Sequence, residues 1–126
     1  MEMIRAGRSL LLRAPHDTKP HLWFVLTDPT GTPPVIVAVM LRSAKAYTDS
    51  TLVLEPGDHP FVRHSSSVHY SSACCFPISR TSQAMAHGTC HLVDDMSPAL
   101  LQRARDGLLI SPFTVEALKV YCRIRF

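Results

Sequence analysis

His21 to Asp28, HLWFVLTD, and Val35 to Leu41, VIVAVML, decide the fold. Trp23, Phe24, Val25 and Leu26 are bulky, β-favouring residues in a nearly unbroken apolar run. Such a run predicts a strand buried on both faces, or one that is strongly curved. Asp28-Pro29-Thr30-Gly31 ends it with turn chemistry, since proline presets φ at the second position and glycine follows at the fourth. Pro33-Pro34 delays the second strand. Two strands joined by a short turn-rich link predict an antiparallel hairpin.

The flanks extend the pattern. Ser9 to Arg13, SLLLR, reads as a first short strand, and Ala14 to Pro20 as a loop with two prolines. Arg42 to Ser50 is a polar connection, and Thr51 to Leu54 another strand. Two short strands are expected around Val68–Tyr70 and Ala73–Phe76. Arg80 to Gly88 reads as either a helical turn or a loop. Further on, Ser97-Pro98 is a helix start: the serine can cap orphan amides, and proline suits the first helical position. Asp94 and Asp95 stand at the favourable dipole end. Leu100, Leu101, Ala104 and Leu108 recur at helical spacing, with Gly107 as the expected stop. A second helix is expected after Ser111-Pro112-Phe113-Thr114, with Thr114 as its cap and Val115, Leu118 and Cys122 on its inner face. Strands followed by two C-terminal helices give an α+β class: a small bent antiparallel barrel, or partly open sheet, with helices packed on one end.

Composition bounds the rest. The 126 residues suit one domain, residues 1–126. With 46% apolar and 18% charged residues the chain folds rather than staying disordered. A net charge of +3 permits nucleic-acid binding without demanding it. MEMIRAGRSLLLRAP holds too short an apolar run for a secretory signal, and nothing approaches the ~20 apolar residues of a membrane span. A cytoplasmic protein with reduced thiols at Cys74, Cys75, Cys90 and Cys122 is therefore expected. No cofactor is expected, and no membrane partner.

Glu55 to Tyr70, EPGDHPFVRHSSSVHY, is the stretch that folding alone explains least. Metal-free RNA cleavage needs a base, an acid and a cation for the phosphorane. Imidazole suits either proton role, and guanidinium forks onto phosphate. His59 and His64 as acid and base, Arg63 on the phosphate and Asp58 orienting an imidazole would form a catalytic set. Ser65, Ser67, Tyr70, Lys45 and Arg42 would bind the substrate, with Tyr47 and Tyr70 as stacking rings. The alternative is structural: Asp58 bonding its own turn, His59 tied to a carbonyl, Phe61 in the core. His59, His64 and His69 are five apart, which alternates faces on a strand, and Cys74-Cys75 and Cys90-His91 lack zinc-knuckle spacing. No local signature marks a Cys75–His59 nucleophile.

GRSLLL, HLWFVLTDP, LEPGDHPFVRHSSSVHYSSA and the ending SPALLQRARDGLLISPFTVEALKVYC together resemble a family of small, poorly characterised bacterial proteins. Its most specific part is the GDHPF-x-x-H-x-S-x-V-x-Y segment. LWFVLTDPTGTPPVIVAVML also resembles the opening hairpin of the PemK/MazF toxins. That resemblance implies an SH3-like barrel, a metal-free endoribonuclease, an RNA substrate, a silencing antitoxin protein and a homodimer. Those toxins place an Arg-Pro pair before the second strand, where this chain has Pro33-Pro34; Ser43 stands loosely where they carry a Thr or Ser after it. Beside the toxin reading stand a non-catalytic protein-interaction module on the same barrel and a nucleic-acid-binding regulator.

Overall fold

A computed structural model describes residues 4–126; Met1 to Met3 of the N-terminal reading lie outside the described residues. The described residues form a small α+β domain: a curled antiparallel six-stranded half-barrel with three helices. In chain order the strands are β1 (Ser9–Leu12), β2 (His21–Val25), β3 (Val35–Ser43), β4 (Val53–Leu54), β5 (Ser66–Pro77) and β6 (Cys90–Val93). The helices are α1 (Ile78–Ala86), α2 (Pro98–Ile110) and α3 (Glu116–Arg123). The sheet order is β4-β5-β3-β2-β1-β6.

The hairpin at the centre forms as its residues require. Trp23 pairs with Met40, Phe24 with Val39 and Val25 with Ala38. Phe24, Val25 and Leu26 are consecutive and fully buried, so β2 has apolar cover on both faces. Phe24, Leu26, Val37 and Val39 pack towards Leu100, Ala104, Leu108, Leu118 and Cys122 of α2 and α3. Val25, Ile36 and Ala38 face the other way, where Ala84 and Met85 of α1 join them. A continuous apolar run thus marks a sheet covered from both sides.

Residues 66–77 form one long strand rather than the two short ones expected. The register slips between Ala38, opposite Cys74, and Met40, opposite His69. Extra residues on β5 therefore stand opposite Val39, and the ladder is interrupted there. Ser72 repairs it: its Oγ accepts from the Met40 amide at 3.1 Å and donates to the His69 carbonyl at 2.6 Å. The expected strand at Thr51 shrinks to Val53–Leu54.

Residues 78–86 are helical, the part of the chain where a loop competed with a helical turn. Gly88 sits at φ +77, its amide bonds the Met85 carbonyl, and the Thr89 amide bonds the Ala84 carbonyl. That bonding is a Schellman stop, and only a left-handed residue allows it. The chain then returns as β6, a strand the sequence pattern did not announce, to pair with β1.

In α2, Ser97 caps as expected, its Oγ accepting from the Leu100 amide at 3.0 Å. Gly107 is not the stop. The helix runs on to Ile110 and ends at Ser111, whose backbone is extended. Pro112 explains this, because a residue before proline is pushed out of the helical region. Gly107 is instead a contact point. A Cβ there would lie 2.0 Å from the Tyr70 hydroxyl oxygen. Thr114 does not cap α3: the helix begins one residue later, behind Val115, with no side-chain cap. The Thr114 hydroxyl is buried without a hydrogen-bond partner among the described residues. Val115, placed on the inner face by its spacing, is exposed, while Leu118 and Cys122 are buried.

Candidate functional site

The Glu55–Tyr70 stretch divides into a buried half and an exposed half. Pro56-Gly57 is a tight turn with Gly57 at φ +105, the arrangement that wants proline then glycine in its middle positions. The Asp58 amide donates to the Glu55 carbonyl at 3.0 Å, and Asp58 Oδ2 accepts from the Glu55 amide at 2.8 Å. Asp58 Oδ1 also stands 3.6 Å from Arg103 Nη1 on α2. Asp58 thus holds its own turn and tethers it to a helix; it orients no imidazole.

His59 is only 2% exposed, which removes it from a solvent-facing catalytic pair. Its Nδ1 accepts from the Phe61 amide at 3.1 Å, so that nitrogen carries no proton. The hydrogen therefore sits on Nε2, which donates to the Asp94 carbonyl at 2.8 Å and lies 3.1 Å from Ser9 Oγ. Both ring nitrogens are occupied in joining the loop to β1 and to the chain ahead of α2. This also removes a Cys75–His59 nucleophile, and burial pushes the Cys75 thiol up from its ordinary value.

Two more expected substrate contacts face inward. Tyr70 is fully buried, and its hydroxyl donates to the Ala104 carbonyl at 2.9 Å. Ser67 is fully buried and donates to the Asp49 carbonyl. Asp49, itself buried, accepts from Ser111 Oγ at 2.7 Å and from the Thr51 amide at 2.9 Å. Burial is what the alternating β5 pattern requires of Val68 and Tyr70 once both face α2.

The exposed half behaves differently. His64 is exposed, and its Nε2 lies 2.8 Å from Ser43 Oγ at the end of β3. Both line an open groove of about 440 Å³ together with Arg42, Lys45, Tyr47 and Thr48. Lys19 and His21 form its far wall, and Leu22, Leu41 and Val62 belong to its floor. The Trp23–Met40 pairing explains the meeting, for it carries β2 back to His21 and β3 on to Arg42 at one end of the sheet. Among the described residues no Asp or Glu lines the groove; Asp17 Oδ2 stands 3.9 Å from His21 Nε2. Tyr47 is 84% exposed at the rim, the one stacking ring of the two expected. Ser65 is exposed but donates to Glu55 Oε1, and Arg63 is exposed without lining the groove. The structure thus brings His64, Arg42 and Lys45 together, leaves His59, Ser67 and Tyr70 in the fold's interior joints, and keeps Asp58 in its partly exposed turn.

Lys19 and His21 were missed as site residues because the first falls in what looks like a mere connector and the second at the start of an apolar strand. The signal was available in the hairpin, since whatever starts β2 must emerge beside whatever ends β3. His69 does not line the groove but a smaller hollow beside it, which also meets Arg42, Tyr47, Thr48 and Asp49. Its Nε2 is 3.5 Å from Arg42 Nη1 and 3.0 Å from Ser71 Oγ, and burial, then the Arg42 charge, pulls its pKa below the ordinary 6.5.

Among the described residues, no group of three or more His, Cys, Asp or Glu side chains gathers as a metal site. Cys74 and Cys75 are exposed and unpaired, while Cys90 and Cys122 are buried, their thiols pushed up to about 11 by burial. No helix of the described residues is long and apolar enough to cross a membrane. Comparison with protein-family models, with curated proteins and with solved structures finds no match in any of the three.

Proposed function

We propose that the groove between the start of β2 and the end of β3 binds single-stranded RNA through its phosphates. The observation that carries this is the lining: Lys19, Arg42 and Lys45 with the imidazoles of His21 and His64, and no carboxylate among the described residues. A concave wall of one sign concentrates field lines and attracts a polyanion. The exposed Tyr47 ring at the rim offers a base a stacking surface beside those cations, the combination that single strands use. The groove, of about 440 Å³, is within the ordinary range of sites that take a nucleotide-sized group.

A second reading is favoured by one contact. The Ser43 hydroxyl and His64 Nε2 are already within proton-sharing distance beside Arg42. An imidazole in that position can take the 2′-hydroxyl proton of a bound ribose as O2′ bonds to phosphorus, and return it to the 5′-oxygen as the P–O5′ bond breaks, with Arg42 or Lys45 on the phosphorane. On that reading the chain is a ribonuclease of the PemK/MazF kind on an SH3-like barrel, with His64 doing the work expected of His59 and His64 together.

Fluorescence anisotropy of a labelled single-stranded RNA separates these outcomes when run beside a cleavage gel. Binding by the wild type, weakened about fivefold or more by Lys45→Ala, is the expected result. Tyr47→Ala should cost about tenfold through lost stacking. Strand scission that disappears in His64→Ala, with binding retained, supports the second reading; an RNA that never binds removes both.

A further inference from the structure

The opposite face of the sheet carries a second hollow, which shares no lining residue with the groove. It measures about 510 Å³, within the ordinary range of small-molecule sites. Its floor is apolar: Leu10 and Leu12 of β1 and Ile36 of β3, with Trp23 of β2 and Phe76 of β5 set edge to face at 5.2 Å. Ala84 of α1 closes one side, and its small side chain leaves the room. The rim is charged in one sense. Arg13 after β1 and Arg80 of α1 are both exposed there, and among the described residues no Asp or Glu lines the hollow. Among the described residues neither guanidinium has an ion-pair partner.

We infer that this hollow binds a small anionic amphiphile, a molecule with an aliphatic or aromatic body and a single carboxylate or phosphate head. The body replaces water over Leu12, Trp23 and Phe76, and the head lies between Arg13 and Arg80. The apolar floor alone would accept any greasy molecule; two unpaired guanidinium groups at one mouth select a charged end. Trp23 is the chain's single tryptophan, so its emission reports on this hollow and on nothing else.

The test uses decanoate as the probe, below its micelle-forming concentration, with decanol as the neutral control. Decanoate is expected to change Trp23 emission saturably, with matching heat in a calorimetric titration. The Arg13→Gln, Arg80→Gln double variant should bind about tenfold more weakly, because each exposed pairing contributes modestly. Ala84→Phe, which fills the hollow from an exposed helix, should abolish the response; its circular dichroism confirms that it folds. The inference is overturned by an absence of saturable binding in both measurements. It is equally overturned by decanol binding as tightly as decanoate, or by unchanged affinity in either the arginine double variant or Ala84→Phe. RNA binding in the groove is unaffected by every one of these results.

Discussion

His59 and His64 stand five residues apart in one polar stretch, and they have opposite employments. His59 is buried with both nitrogens bonded inside the fold, while His64 faces an open groove with one hydroxyl partner. The difference lies in the backbone around each. Asp58 and Gly57 close a tight turn that drives His59 beneath it, towards β1 and the Asp94 carbonyl. After Val62 re-enters the core, the chain surfaces again at Arg63 and His64 before β5 begins. A polar residue type names what a side chain can do; the turn decides whether it meets protein or solvent.

This contrast can be broken from its buried side first. Tyr70→Ala should be the most damaging substitution, costing about 3–5 kcal/mol in chemical denaturation, since it empties a fully buried ring site against α2. Gly107→Ala attacks the same joint from the helix, where a Cβ would lie 2.0 Å from the tyrosine oxygen. It should cost about 2–3 kcal/mol despite the better helix propensity of alanine. His59→Ala should cost about 2 kcal/mol by leaving the Phe61 amide and Asp94 carbonyl unpaired, and should leave RNA affinity unchanged at temperatures where the variant is folded. On the exposed side, His64→Ala should alter stability by less than about 0.5 kcal/mol. A His59 variant as stable as wild type, or a His64 variant as unstable as the Tyr70 one, would erase the distinction.

The smallest effect expected is one of pH. His69 titrates below 6.5 in the folded chain, so the native state binds fewer protons than the unfolded state as pH falls from neutrality. Its contribution is therefore full above 6.5 and declines as pH falls towards the folded value. Urea midpoints measured across pH 7 to 5 should fall less steeply in His69→Gln than in the wild type.

The hairpin and the α2 start were legible because local chemistry settles them: an apolar run with turn residues, and a serine before proline. What escaped depends on distant partners. Gly107 looks like a helix stop until Tyr70 is seen to lie against it. Ser67 and Tyr70 look like phosphate contacts until β5 is known to turn them towards Asp49 and α2. Residues 78–86 bear a clear stop at Gly88, but their helix starts at Pro77 with no side-chain cap to announce it. At the groove, Arg42, Lys45 and His64 were readable as candidates, whereas Lys19 and His21 become visible only when the strands are paired.

Salt dependence tests the central claim most directly, because phosphate contacts reveal themselves as released counterions. The affinity of single-stranded RNA should fall on a log–log plot against salt, and the Arg42→Ala, Lys45→Ala double variant should reduce that slope by about 1–2. An affinity indifferent to salt, or a double variant with the wild-type slope, would show that the groove does not hold the phosphates.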